Sequence, residues 1–555
     1  MKKTCVMLTI ATMLFTSLFT VIYLSASGGY DYSTALNYSI IFYDANKCGP
    51  EAGNDNFFSW RGACHTTDGS VRGLDLAGGF HDAGDHIKFG LPQAYSASVL
   101  GWALYEYKDV FDSTGNTDKL LSTLKHFTDY FLKCYPEPGT FYYQVSDGQI
   151  DHTYWGAPEE QTGPRPVPYV ADESNPASDV LGLTSAALTK MYLNYKNIDA
   201  DYANECLRVA KELYQMGKNN PGHYKLGAYY RSNSFWDDLA WAATWLYVAE
   251  NDNSYLPEID SYLSNNTFLG QTPFENKWTM CWDDMYMAVF CKMAELTGEQ
   301  KYINAMNYNL DYWMNSLTTT PDGLRHLDVW GALRYASAEA MLAMLYYEQT
   351  GNESLKEFAK SQIDYALGDN KNNMSYLIGF GSNYPKHPHH RAANGYTYAG
   401  GENSNPAKHL LVGALVGGPD AQGNYVDDVN LFQHTEVAID YNAGFVGALA
   451  AITKYYGNLT SPPPTSDPEL LWYEVGDINL DGKIDTTDLV LMRRYILEII
   501  DKLPYEDMDN LRIPIADVNG DGYINSTDYM LMRRYILEII TEFPVEYDIY
   551  GNIVN

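Results

Sequence analysis

A tandem repeat near the C-terminus constrains this chain more than any other feature. Asp477-Ile-Asn-Leu-Asp-Gly-Lys-Ile-Asp-Thr-Thr-Asp488 returns as Asp517-Val-Asn-Gly-Asp-Gly-Tyr-Ile-Asn-Ser-Thr-Asp528, an offset of 40 residues. The segments that follow, Leu491–Ile500 and Leu531–Ile540, are identical over ten residues and read as helices. Oxygen ligands at loop positions 1, 3, 5, 9 and 12, with glycine at 6, are the pattern of a calcium loop of EF-hand type. The first copy supplies Asp477, Asn479, Asp481, Asp485 and Asp488 around Gly482, and the second Asp517, Asn519, Asp521, Asn525 and Asp528 around Gly522. Lys483 and Tyr523, at position 7, would offer main-chain carbonyls. Position 12 is the shorter Asp rather than Glu, and no complete helix pattern precedes either loop, so the unit is a loop plus one helix, used twice.

The composition breaks at Ser461-Pro-Pro-Pro-Thr-Ser-Asp-Pro468, a run that cannot continue a helix and favours an extended spacer. The expected organisation is an export signal at 1–27, a large domain at 28–458, a linker at 459–471, the repeat domain at 472–545 and a tail at 546–555. In the large domain, stretches such as Ala94–Tyr107, Thr117–Cys134, Ala177–Tyr195, Tyr202–Gly217, Asp237–Glu250, Asp284–Thr297, Ala336–Thr350 and Ala443–Tyr455 place apolar residues at helical spacing. Alternating strand patterns are scarce. A mainly α domain with its function in long loops follows; periodicity alone does not specify a barrel.

Lys2 and Lys3 precede an apolar run from Cys5 to Leu24 and the small residues Ser25, Ala26 and Ser27, the layout of a cleavable export signal. The run is long enough to serve as an uncleaved anchor instead. Asp and Glu total 70 against 37 Lys and Arg, a formal net charge of −33, which argues against nucleic acid or anionic lipid as partner. That balance suits a neutral substrate and oxygen-ligated cations. The 48 Tyr and 11 Trp serve mostly as core, and also suit sugar rings, whose flat C–H faces stack on aromatics. Six cysteines beyond the signal are too few for a disulfide scaffold in a chain of 555 residues.

Splitting a glycosidic bond needs a protonated carboxyl at the leaving oxygen and a second carboxylate across the sugar. Two acid-bearing segments stand out. In Leu74-Asp-Leu-Ala-Gly-Gly-Phe-His-Asp-Ala-Gly-Asp-His-Ile-Lys-Phe-Gly90, glycines permit a tight turn that brings Asp82 and Asp85 into one small volume. The other segment runs from Tyr425 through Asp427 and Glu436 to Ala443.

These pieces resemble known families. The duplicated loop-helix unit behind a Pro/Thr linker is similar to a type I dockerin, which binds cohesin domains of a scaffold protein. The resemblance implies that partner choice rests on Thr486, Thr487, Arg493 and Arg494, and on Ser526, Thr527, Arg533 and Arg534. Because the copies match so closely, either helix could present the same face to one cohesin site, and two docking orientations about half a turn apart are expected. The Asp82–Asp85 turn resembles the D-A-G-D turn of glycoside hydrolase family 9, and Tyr425–Ala443 meets that family's aromatic-x-D-x4-aromatic-x3-E-x-A-x3-N-A pattern. Ser375 through His389-His390-Arg391 meets its substrate-site signature except at Ile378.

The resemblance implies an (α/α)6 barrel and an inverting endo-β-1,4-glucanase acting on cellulose and related β-glucans. Asp85 would be the base that activates water, Asp82 would hold that water, Glu436 would be the acid and Asp427 a supporting carboxylate. His389, Arg391, Tyr441, His152, Trp155, Tyr229, Trp330 and Arg334 would meet the sugar, with Trp155 and Trp330 as stacking platforms. A xyloglucan or other β-1,4-glycan hydrolase on the same fold, or a glycan-binding protein without turnover, are the alternatives. The resemblance also implies a structural calcium on Ser234, Asp237, Asp238 and Asp283, although Asp237 and Asp238 equally suit a helix N-terminus. Cys48, Cys64, His65 and His81 suit tetrahedral zinc, against a Cys48–Cys64 disulfide with free histidines.

Overall fold

A computed structural model describes residues 30–225, 229–264, 272–397, 403–457, 475–479, 483–497, 499–504, 514–537 and 539–545. The signal, the linker, the tail and the ligand Asp481 lie outside the described residues. Among the described residues no helix is long and apolar enough to cross a membrane.

Among the described residues, twelve long helices build the large body: α1 (Tyr32–Asn46), α2 (Gly90–Glu106), α3 (Thr117–Cys134), α4 (Ser178–Tyr195), α5 (Ala200–Asn219), α6 (Trp236–Glu250), α7 (Tyr255–Ser264), α8 (Tyr286–Thr297), α9 (Gln300–Asn315), α10 (Ala332–Thr350), α11 (Glu353–Leu367) and α12 (Ile439–Tyr456). The even-numbered helices pack each on the next, and α12 closes on α2, so six of them form an inner ring. Each odd-numbered helix lies outside against an inner one, α1 against α12 and α5 against α4 for example. The expected (α/α)6 barrel is the architecture found.

Sequence explains the two layers. Outer helices such as α3 bury one stripe (Leu120, Leu124, Phe127, Phe131) and leave a charged face outside. Inner helices are enclosed on every side and are rich in small residues where they meet. At Gly444 of α12 an added Cβ would lie 2.9 Å from Ala338 Cα of α10, so the two helices approach closely only because that atom is missing.

The loops entering inner helices are long, as at 47–89, 135–177, 316–331 and 368–438, while those entering outer helices are short, as at 196–199 and 351–352. Irregular chain therefore gathers at one end of the barrel, where the inner helices begin. There Lys88–Phe89 pairs antiparallel with Gln144–Val145 and draws the 144–161 loop towards the Asp82–Asp85 turn.

The repeat domain holds α13 (Thr486–Ile496) and α14 (Ser526–Ile536), packed on each other around Ile478, Met492, Ile515, Val518 and Met532. Asp485 and Asn525 cap the two helices, each in a reciprocal capping box with Asp488 or Asp528. Both helices stop four residues before the ten-residue identity ends, with the Leu497 and Leu537 amides turning back to Arg493 and Arg533. Shared sequence there extends beyond shared helix.

Candidate active site

Three segments far apart in sequence are laced together by main-chain hydrogen bonds at the mouth of the barrel. The Asp82 carbonyl accepts from Ile439 N at 2.9 Å, and the Gly84 carbonyl from Arg391 N at 3.1 Å. His389 and Glu436 lie opposite each other in a parallel bridge. A Cβ on Gly84 would lie 2.0 Å from the His389 carbonyl oxygen, so only glycine lets the turn seat against the 389–391 segment. Asp82, Asp85, His389 and Glu436 are thereby gathered at one mouth.

The carboxyls differ in their neighbours. Glu436 Oε2 accepts from the Trp330 indole N–H at 2.6 Å and the Tyr441 hydroxyl at 3.1 Å. Burial pushes Glu436 up to about 7, with the Asp85 charge adding to it and the Trp330 donor and Arg334 opposing it. Asp82 accepts from the Tyr230 hydroxyl. Burial, then the charges of Asp85 and Asp440, push it well above the usual carboxylate range. Asp85 Oδ2 accepts from His152 Nε2 at 3.2 Å, and the Tyr229 hydroxyl donates to His152 Nδ1 at 3.0 Å. The inner oxygens, Asp82 Oδ1 and Asp85 Oδ1, are buried and have no protein partner. Carboxyl oxygens left without a protein partner on two acids of one tight turn suit a water held for attack.

Several expected residues take other places. Trp155 is only 5% exposed, its indole N–H donates to Asn394 Oδ1 at 2.8 Å, and its ring meets His389 edge-on. It buttresses His389 and offers no open face for a sugar, which corrects the platform reading. Arg391 is likewise buried, with Nη1 on Asp151 Oδ2 at 2.6 Å. Asp427 supports main chain, accepting from Lys386 N at 2.7 Å and His387 N at 3.1 Å. Trp330 does stand open at 42% exposure, and Tyr229 at 46%. Arg334 pairs with Asp440 Oδ2 at 3.0 Å.

The geometry has a counterpart in known proteins. Residues 32–449 match the sequence profile described as Glycosyl hydrolase family 9, and residues 475–537 and 515–552 match the Dockerin type I domain. The chain belongs to glycosyl hydrolase family 9. It carries a type I dockerin behind the barrel. The crystal structure of the cellulase Cel9M of C. cellulolyticum in complex with cellobiose superposes at a TM-score of 0.76 and 61% identity, over 78% of this chain and 100% of that one. The catalytic domain of CelT from Clostridium thermocellum gives 0.72 at 36% identity, over 79% of this chain and 99% of that one. Endoglucanase A of Bacillus pumilus is 39% identical over 465 residues, covering 79% of this chain and 69% of the relative.

Two further clusters lie in the family 9 barrel. Ligand atoms of Cys48, Cys64, His65 and His81 all fall within 4.8 Å of one another. His65 Nδ1 is 3.0 Å from His81 Nε2 and 3.6 Å from Cys48 Sγ. No disulfide joins the cysteines. The hydrogen bond from Cys48 brings the Cys64 thiol down to about 7, while burial pushes Cys48 well up and holds His81 well below the usual imidazole range. A near-thiolate sulfur beside unprotonated imidazole is the donor set zinc takes.

The second cluster combines Asp237 and Asp238 at the start of α6 with Asp283, and adds Asp179 and Asp284, which sequence reading did not single out. Burial pushes Asp237 up to about 6 and Asp283 to about 7, each further raised by neighbouring aspartates. Burial also drives Asp238 and Asp284 well up. Among the described residues no Lys or Arg pairs with Asp237, Asp238, Asp283 or Asp284. Asp237 Oδ1 and Asp238 Oδ1 are buried without a partner among the described residues, and the Ser234 carbonyl accepts from Ser232 Oγ at 2.7 Å. Such an all-oxygen set fits calcium.

In the dockerin, Asp517 draws the Gly520, Asp521 and Gly522 amides around its carboxylate, and Asn479 N donates to Asp488. Thr486, Thr487, Arg493 and Arg494 are exposed, as are Ser526, Thr527, Arg533 and Arg534. Val490 and Met530, and Leu497 and Leu537, stand out at matching positions.

Proposed function

We propose that the chain is an exported, inverting endo-β-1,4-glucanase, held on a scaffold by the cohesin partner of its dockerin. The observation that carries this is the contrast between Glu436, able to hold a proton near neutral pH, and the paired inner oxygens of Asp82 and Asp85. With a glucan seated between them, Glu436 gives its proton to the leaving oxygen as the bond breaks. Asp85 takes a proton from the water that attacks the anomeric carbon from the opposite face. His152, hydrogen-bonded between Tyr229 and Asp85, aims the base. Protonated Asp82 holds the water without adding a second negative charge beside it. Trp330 offers its exposed ring to a sugar while its indole N–H fixes the acid. The similarity to a cellulase bound to cellobiose and to relatives named endoglucanases supports the substrate and the internal cut.

Calcium on Ser234, Asp237, Asp238 and Asp283, calcium in the dockerin loops, and zinc on Cys48, Cys64, His65 and His81 would all be structural. When bound, they neutralise buried charge and take no part in bond cleavage.

The deciding test is product stereochemistry on carboxymethylcellulose and on insoluble cellulose. New reducing ends formed in the α configuration, with falling viscosity of the soluble polymer, are expected. β-configured ends or exo-only release would overturn the reading. For the dockerin, replacing Ser526 and Thr527 together leaves cohesin affinity nearly intact, because the first repeat presents the same face; calorimetry reporting a large loss would exclude two orientations.

A further inference from the structure

One side chain in the 135–177 loop touches both the Cys/His cluster and the catalytic mouth. Gln161 Oε1 accepts from His65 Nε2 at 2.9 Å and from His86 Nδ1 at 3.0 Å. Its amide Nε2 donates to Asp151 Oδ1 at 3.1 Å. Asp151 Oδ2 in turn receives Arg391 Nη1 at 2.6 Å, and the Asp151 main-chain oxygen receives the same nitrogen at 3.1 Å. Carboxylate oxygens of Asp151 and Asp85 and a ring nitrogen of His152 lie within 4.8 Å of one another. Arg391 N is bonded to Gly84 of the catalytic turn.

The polarity of this chain is fixed. A carbonyl oxygen only accepts, so His65 carries its proton on Nε2 and turns a bare Nδ1 to Cys48 and His81. That is the tautomer a metal needs. With the amide oxygen committed to two histidines, its N–H must face the carboxylate that holds Arg391. Among side chains only Asn shares this primary amide, with a carbonyl acceptor and N–H donors on one planar group, and Asn is a methylene shorter.

We infer that Gln161 is a positioning residue shared by the two sites, holding His65 as a metal ligand with one end and the Asp151–Arg391 clamp beside the catalytic turn with the other. Metal retention and grip on the glucan are therefore linked through one amide. This rests on the zinc reading above.

The experiment begins with metal content of the wild-type chain purified without chelator; zinc well below one ion per chain overturns the zinc reading and this link with it. With zinc present, Gln161→Leu and Gln161→Glu are compared for zinc loss to a chromogenic chelator and for KM and kcat on soluble cello-oligosaccharides. Leucine removes both ends, so zinc affinity falls roughly 10- to 100-fold and KM rises several-fold. Glutamate keeps acceptors for His65 and His86 but sets a carboxylate against Asp151. It retains zinc nearly as the wild type does and still raises KM. That split is not produced by general loosening of the fold, and it stands alone should the leucine variant fail to fold. Parallel loss of zinc and substrate affinity in Gln161→Glu, or wild-type zinc retention or KM in a folded Gln161→Leu, overturns the proposal.

Discussion

The barrel contains two buried acidic clusters, and they solve the problem of burying carboxylates in opposite ways. At the mouth, each acid has its own neighbours. Glu436 has an indole N–H and Tyr441, Asp82 has Tyr230, Asp85 has His152, and Asp440 has Arg334. Different neighbours separate the proton affinities, which acid–base work requires. Around Asp237, Asp238, Asp283 and Asp284, the neighbours are backbone amides, the side chains of asparagines and Ser234, other aspartates, and the half-buried His223 beside Asp179. Among the described residues no Lys or Arg balances these carboxylates, and a bound cation would let them ionise together. A shared excess of acid is thus a machine in one place and a socket in the other.

The largest effect expected from breaking this contrast is at Glu436. Glu436→Gln lowers kcat on unactivated glucan by about 10³-fold, the scale of one general acid, with circular dichroism unchanged. A variant that keeps substantial turnover would remove Glu436 from the role.

Next is the socket. Stripping calcium costs the fold roughly 4 kcal/mol relative to a solution holding the ion a thousandfold above its Kd, read as a lower melting temperature. The stripped protein also has an unusual pH dependence. Asp237 at about 6 and Asp283 at about 7 sit above their unfolded values, so the folded chain binds more protons between those limits. Its stability then falls as pH rises from about 4 through 7. Melting the stripped protein at pH 5 and pH 7.5 checks this, and a higher melting temperature at pH 7.5 would contradict it. Calcium-loaded protein does not show the slope.

The smallest effect separates the clusters most cleanly. Trp330→Phe keeps a ring on the cleft but deletes the donor that lowers the Glu436 pKa. The alkaline limb of kcat/KM, set near pH 7, moves up by at most about one unit, the worth of one hydrogen bond. The calcium-dependent melting is unchanged.

Sequence made helices of both layers legible: on the outer layer Thr117–Cys134 is found as expected, and on the inner ring the stretch expected from Asp237 begins one residue earlier. Closure into a ring was not legible, because inner helices such as α12 are buried all round and carry no stripe to say which side meets which neighbour. At the site, motif spacing located Asp82, Asp85 and Glu436, and the resemblance supplied His152, Trp330 and Tyr441, which bond Asp85 and Glu436, whereas the partner of Asp82 and the groups behind Arg391 escaped. Tyr230, next to the expected Tyr229, is the hydroxyl on Asp82. Asp151 and Gln161 belong to no motif, and their roles arise from the pairing of Lys88–Phe89 with Gln144–Val145. The exposed Trp330 and the buried Trp155 are alike as letters; only packing decides which one meets solvent.

Gly84 shows what that packing asks of variation. With the His389 carbonyl 2.0 Å from where its Cβ would stand, the position excludes nineteen residues on grounds of volume alone. A library randomised across the turn would therefore return a dead column at 84 that looks like chemistry and is only geometry. An engineer wishing to move the base relative to the acid would have to begin by shifting the chain at 389, not by editing the turn.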